Sequence, residues 1–190
     1  MKALILDGSR EGDPLTPVAV AGMTSALAAR GANVEVVTLR ERDIAPCAGC
    51  FGCWTKTPGE CVVADGARDI LRSYLRSDVV VYATPVTFGG YSSHLKAILD
   101  RLIPVLDPRF TVVGGEVHHR LRYRRYPRTI GLGTLPEPDP EAERLFARLV
   151  ARNGLNIHQA PGAAVLAGVT QPDSARGYAD LLLDREDAPA

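Results

Sequence analysis

Four cysteines carry the strongest chemical signature in this chain, and they are all it has: Cys47-Ala-Gly-Cys50-Phe-Gly-Cys53-Trp54-Thr-Lys-Thr-Pro-Gly-Glu-Cys61. Three thiols recur at every third position, and the fourth follows after seven intervening residues. One turning stretch of backbone can bring sulfurs so spaced to a single point, which a metal centre requires and a disulfide framework does not. The set reads as iron–sulfur ligands, because such clusters are held by cysteine thiolates. Structural zinc more commonly uses two separated Cys-x-x-Cys pairs, and metal-free thiols acting as a redox sensor form a third reading. Trp54, the one tryptophan, either shields this centre or simply packs in the loop.

Three other loops carry groups suited to a phosphate ester and a flat ring. The first, Gly8 to Thr16, is neither a dinucleotide Gly-x-Gly-x-x-Gly nor a Walker loop, but it offers Ser9, Arg10 and Thr16 at a helix entrance. Hydroxyls, a cation and backbone N–H groups at a helix N-terminus favour a phosphate. An ordinary capped turn would use the same residues. The second loop, Pro85-Val86-Thr87-Phe88-Gly89-Gly90, sets an aromatic side chain beside two glycines, either as a ring slot or as plain turn chemistry. The third, Gly131-Leu-Gly133-Thr134, brings main chain close to something, a ligand or a crowded strand end. Together the three suit FMN.

The elements between these loops must bring them to one place. Ala3 to Asp7, Asn33 to Leu39, Asp78 to Thr84, Arg128 to Leu132 and Leu155 to Ala160 read as strands, the third being the most continuous apolar run. Helices are expected from Thr16, taken as N-cap with Pro17 at the first position, to Gly31, and from about Asp65 to Ser77. Further helices run from a cap at Ser92 or Ser93 to Pro104, from Asp139-Pro140 to Gly154, and from Ala175 to Leu183. Gly114-Gly115 between two β-prone pieces predicts an inserted hairpin. Strands alternating with helices imply an α/β doubly wound, five-stranded parallel sheet of flavodoxin-like order 2-1-3-4-5, with ligands at the carboxyl ends of its strands.

With 190 residues, 46% of them hydrophobic, the chain suits one domain over 1–190. Within it we place a Cys-rich loop at 44–62, an inserted hairpin and basic arm at 108–128, and a C-terminal tail at 168–190. Twenty-two basic and 22 acidic side chains cancel, so no overall field favours nucleic acid or a membrane surface. The short apolar N-terminus is neither a signal core nor a membrane span, so a cytoplasmic location is expected. The basic run His118 to Arg128 reads as a solvated, subunit-facing arm or as a site for NADPH phosphates or an acidic redox partner. His118 and His119 should point to opposite faces of a strand and so not share a metal. No hydrolytic triad or His-Glu-x-x-His pattern stands out, so the hard chemistry belongs to cofactors and no catalytic side chain is assigned.

The run Met1 to Ser9, the segment Ile44 to Cys53, Ala83-Thr-Pro85-Val-Thr-Phe-Gly-Gly90, Leu95-Lys96 and Leu99-Asp100-Arg101 together resemble the NADPH-dependent FMN reductase superfamily. Within it the iron–sulfur flavoproteins are most similar, over roughly residues 1 to 135. The chain departs from that pattern at Arg10, Thr87 and Ala64-Asp65. The resemblance implies that Ser9, Arg10 and Thr16 bind the FMN phosphate, that Pro85 to Gly89 hold the isoalloxazine, and that Cys47, Cys50, Cys53 and Cys61 carry a [4Fe–4S] cluster. It also implies NAD(P)H as electron donor, a small-molecule or protein redox partner, and a homodimer or homotetramer. Two other functions stay open: a cluster-free NAD(P)H-dependent FMN or quinone reductase, and a non-catalytic zinc or thiol redox sensor on the same scaffold.

Overall fold

The computed structural model describes residues 1–184; the last part of the tail expected at 168–190 lies outside the described residues. In chain order come β1 (Lys2–Asp7), α1 (Thr16–Ala29), β2 (Asn33–Thr38), α2 (Gly52–Thr55), α3 (Ala67–Arg76) and β3 (Val79–Pro85). Then follow α4 (Ser93–Asp100), the hairpin β4 (Leu106–Val113) and β5 (Glu116–Leu121), β6 (Arg128–Leu135), α5 (Pro140–Leu155), β7 (Gly162–Ala167) and α6 (Pro172–Asp184). The five parallel strands lie in the order β2-β1-β3-β6-β7, which is the expected 2-1-3-4-5 once the separate two-stranded hairpin is set aside.

Every residue of β3 is buried, as its unbroken apolar run demands of a central strand covered on both faces. Alternation divides the core. Ile5, Val81 and Ala83 face a layer made by α1 and α6, while Leu4, Leu6, Val80 and Tyr82 face α3 and α4. The stretch read as tail thus contributes a core helix, with Ala175, Ala179 and Leu182 buried against α1. Gly114 and Gly115 both adopt positive φ, as the tight turn of the hairpin requires.

Two local expectations fail. The strand expected over 155–160 lies instead at Gly162–Ala167. Leu155 and Ile157 belong to the end of α5 and the turn beyond it, which closes through Gln159 N–H to the Gly154 carbonyl with His158 at φ +56°. The edge strand itself is Ala- and Gly-rich, so it carries little β-branched signal. Thr16 is not an N-cap either: it lies inside α1, and the carboxylate of Asp13 accepts from the N–H groups of Leu15 and Thr16 at 3.0 and 3.1 Å. The caps expected at Ser92 and Asp139 are present. Among the described residues no helix is long and apolar enough to cross a membrane.

Candidate functional site

The carboxyl ends of β1, β3 and β6 form one rim, and hydrogen bonds between the three loops close it. Gly8 N–H donates to the Ala83 carbonyl at 2.8 Å, and a Cβ on Gly8 would stand 2.8 Å from that of Leu95, so no side chain fits there. Ser9 is fully buried; its N–H donates to Asp7 Oδ1 at 2.9 Å, and its Oγ accepts from Arg40 Nη1 at 2.6 Å. Thr16 and Thr134, both buried, share a hydroxyl–hydroxyl bond of 2.7 Å. Val86 N–H reaches the Thr134 carbonyl at 2.9 Å. Thr87 and Gly90 exchange two backbone bonds around Phe88 and Gly89, whose φ angles of +50° and +73° make a tight turn. That turn leaves the Phe88 side chain fully exposed.

The structure brings most of the expected rim residues together and sorts them. Arg10 is exposed, and the cation delivered to Ser9 is Arg40, from the chain just after β2. Sheet order 2-1-3 places the end of β2 beside the β1 loop, a signal the sequence reading could have used. Gly131 and Gly133 lie in β6, but their open faces are filled by protein. A Cβ at Gly131 would come within 2.5 Å of Val150, and one at Gly133 within 2.7 Å of Val86. These glycines admit α5 and the Val86 side chain rather than a ligand on that face. Among the described residues, two buried atoms of the rim loops, Thr87 Oγ1 and Asp13 Oδ2, have no hydrogen-bond partner, as fits a site that receives a polar ligand.

The cysteine loop sits at the far end of α4. Ser92 Oγ starts that helix, accepting from Leu95 N–H and donating to the Gly8 carbonyl at 2.6 Å, while Arg101 ends it beside the thiols. Cys47, Cys50, Cys53 and Cys61 line one cavity together with Phe51, Val63, Arg101 and Pro104. Cys53 is buried, Cys61 half-buried, and Cys47 and Cys50 exposed; all four are free thiols. Burial pushes the Cys53 thiol up, and the charges of Cys61, Cys47 and Cys50 add to this. A cationic centre at the cavity would reverse that logic for Cys53. Among the described residues no three His, Cys, Asp or Glu side chains are gathered to hold a metal ion. The sulfurs thus ring the cavity without meeting at a point, a looser arrangement than four thiolates at about 2.3 Å from one zinc.

What holds this loop was not legible as a motif. Arg101, 2% exposed, makes two 2.9 Å bonds to the Asp65 carboxylate and donates to the Ala45 carbonyl at 2.7 Å. Asp65 accepts in turn from the N–H groups of Ala45 and Ala67. The pair therefore ties the chain before the first cysteine to the chain after the last. Burial works to raise the Asp65 carboxyl, but Arg101 and the two N–H groups outweigh it and hold it below its ordinary range. The available signal was an arginine three residues after Ile98, on the buried stripe of α4, where a charge demands a partner. Arg68 adds bonds to the Cys61 carbonyl at 2.8 and 3.1 Å.

Trp54 Nε1 donates to the carbonyls of Ile103 and Leu106, and its ring lies between Phe51 and His119. His119 continues to Phe110, while His118 faces Asn156, so the adjacent histidines do point apart. Much of the basic arm is bound internally. Arg120 donates to the Phe110 carbonyl, Arg122 to those of Pro104 and Leu106, Arg125 pairs with Asp78, and Arg128 donates to the carbonyls of Leu182 and Leu183.

A doubly wound parallel sheet that gathers hydroxyls, an arginine and a tight Phe-Gly turn at its carboxyl edge is a flavodoxin-like nucleotide-binding frame. The chain belongs to the NADPH-dependent FMN reductase family, whose family model matches residues 1–122. It is similar to an iron-sulfur flavoprotein of Methanocaldococcus jannaschii, 32% identical over 105 residues, or 55% of this chain and 53% of the relative. It is also similar to an iron-sulfur flavoprotein of Methanosarcina thermophila, 30% identical over 83 residues, or 44% of this chain and 42% of the relative. The matches thus span about half the length of these curated relatives. Among solved structures, an azoreductase from Bacillus anthracis str. Sterne superposes with a TM-score of 0.67 at 16% identity, covering 95% of this chain and 99% of that one. An NAD(P)H:quinone oxidoreductase from Methanothermobacter marburgensis gives 0.65 at 15% identity, covering 95% and 94%. At such identity these two share the fold.

Proposed function

We propose that the protein is an FMN-binding oxidoreductase or electron-transfer protein, with NAD(P)H as electron donor, whose Cys47, Cys50, Cys53 and Cys61 carry a [4Fe–4S] cluster. The observation that carries this reading is that all four cysteines line one cavity at one end of α4, while the other end of the same helix is bonded into the rim. Eight helical residues span about 12 Å, so the two centres lie close to one another. The names of the relatives, iron-sulfur flavoproteins, support the cluster. When bound, FMN supplies exchange between two-electron and one-electron chemistry, which a cluster complements.

The chain's own residues position and tune. Ser9, Arg40, Thr16 and Thr134, with Arg10 at the open side, hold the phosphate. The turn from Pro85 to Gly89 holds the ring, with Val86 packed behind it and the Phe88 side chain at its edge. Gly131 and Gly133 let α5 close against the sheet beneath. Ser9, Thr16 and Thr134 are buried and bonded within the protein, so they brace the phosphate loop from beneath, while Arg40 and Arg10 carry the exposed charge. Exposed Phe110, Val112 and Val117 on one face of the hairpin support a homodimer or homotetramer, and a monomer by light scattering would overturn that part.

Anaerobic purification followed by an absorption spectrum and assays for flavin, iron, acid-labile sulfide and zinc tests the whole reading. Flavin with equal iron and sulfide is expected. Flavin without iron, even after anaerobic reconstitution, would instead make the protein a cluster-free NAD(P)H-dependent FMN or quinone reductase. Zinc without flavin would make it a zinc or thiol redox sensor.

A further inference from the structure

A separate cavity of about 440 Å³ lies over the sheet between α4 and α5, and none of Ser9, Thr16, Pro85–Gly89 or Thr134 lines it. It shares Cys47, Asp100 and Ile103 with the cysteine cavity, so the two are neighbours through one wall. Its volume falls within the range of small-molecule sites, roughly 300–1,000 Å³. Leu99, Leu102 and Leu149 give it aliphatic walls, and Tyr82 and Tyr91 give it rings, set edge to face at 6.4 Å.

Its polar groups limit what can enter. The Tyr91 oxygen accepts from Asn153 Nδ2 at 3.0 Å, and among the described residues the Tyr91 O–H has no acceptor of its own. Burial, opposed by that Asn153 bond, pushes Tyr91 up to about 12, so the hydroxyl is a neutral donor throughout the physiological range. The charges in the lining are Lys96 and Asp100, which bond each other at 2.6 Å and cancel. An ionised guest would lose its hydration and gain no counter-charge, whereas a neutral ring would gain apolar contact and one hydrogen bond.

We propose that this cavity binds a small, uncharged aromatic molecule bearing a carbonyl group, with the carbonyl on the Tyr91 O–H and the ring between Tyr82 and Leu149, one edge reaching the wall that holds Cys47. The site is distinct from the rim and shares one wall with the cysteine cavity. Coumarin is a suitable probe: bicyclic, neutral, carbonyl-bearing and unencumbered by charge. Coumarin-3-carboxylate keeps the ring and adds an anion.

Equilibrium dialysis of the full-length, flavin-loaded protein against each probe tests the assignment, with flavin content assayed in parallel. Expected are saturable binding of one coumarin per chain, binding of the carboxylate at least about tenfold weaker, and no displacement of coumarin by added FMN. Tyr91→Phe should weaken coumarin by about fivefold, the size of one net hydrogen bond. Leu99→Trp, which fills the cavity, should abolish binding with flavin content unchanged. No saturable binding, equal binding of the carboxylate, displacement by FMN, or full binding in both variants would each overturn the proposal. If Leu99→Trp does not fold, Tyr91→Phe and the two-probe comparison decide the matter alone.

Discussion

At the rim the protein closes its own turns: Gly8 onto Ala83, Val86 onto Thr134, Thr87 onto Gly90, and the Thr16 hydroxyl onto that of Thr134. The cysteine loop, between Arg42 and Gly66, contains a single helical turn and is anchored from outside, by Arg101 and Asp65 at its two ends and by Trp54 in its middle. Both regions hang on α4, one at each end. The rim is thus a finished surface to which a ligand adds little structure, whereas the interior of the loop presents four free thiols, of which Cys61 faces the Arg101 guanidinium. A bound centre would supply the order that the loop's own backbone does not.

The largest effect expected follows from that contrast. Replacing Cys50 by Ala should remove iron and acid-labile sulfide altogether, and leave flavin stoichiometry as in the parent, because no rim bond passes through the loop. Metal and flavin assays on the same purified sample check this. Loss of flavin together with iron would show that the two regions are one folding unit, and would break the comparison.

Next in size is the staple. Arg101→Met leaves the Asp65 carboxylate buried without its cation, a loss of about 3–5 kcal/mol that urea unfolding should report. Its pH dependence has a fixed sign. Asp65 is held below its ordinary range in the folded protein, so its contribution is complete above the unfolded carboxyl value of about 4 and is lost as the pH falls through the lower, folded value. The stability difference between the parent and Asp65→Asn should therefore shrink in acid below about pH 4. A difference that stays constant down to pH 2 would mean that the pair does not anchor the loop.

Smaller again is Gly131→Ala, since the added methyl would meet Val150 at 2.5 Å and force α5 outward. Overpacking of this kind costs about 1–3 kcal/mol. Urea unfolding should show that loss while FMN affinity changes little. The reverse outcome, normal stability with weakened FMN, would make Gly131 a ligand contact after all.

Much of the architecture was legible because it rests on local patterns: the apolar run of β3, the Ser92 and Asp139 caps, and the paired glycines of the hairpin each signal one element. The edge strand β7 was misplaced because its alanines lack the branching that marks strands, while Leu155 and Ile157 look strand-like but finish a helix. The cysteines announced a centre by spacing alone. Of the residues that position them, Arg68 acts locally on Cys61, whereas Arg101 reaches Asp65, a partner 36 residues away, and no local pattern encodes that pairing. Similarly, Arg10 stood next to Ser9 in sequence, and only the sheet order reveals that Arg40 stands next to it in space.

That last exchange gives the finest test of the rim as a finished surface. Arg40 donates to the buried Ser9 oxygen at 2.6 Å and lies 3.8 Å from the Asp7 carboxylate, so it is held before any ligand arrives. A preset cation gains binding energy without new ordering, although its side chain is about one third exposed and water weakens the attraction. Arg40→Met should therefore lower FMN affinity about tenfold, or ~1.4 kcal/mol, by fluorescence titration of the deflavinated protein. Arg10 is exposed and must be ordered before it can help, so Arg10→Met should change affinity by less than about twofold. Equal losses in the two variants would mean that the phosphate is gripped from the open side as much as from within. The rim would then share with the cysteine loop a dependence on its ligand for order.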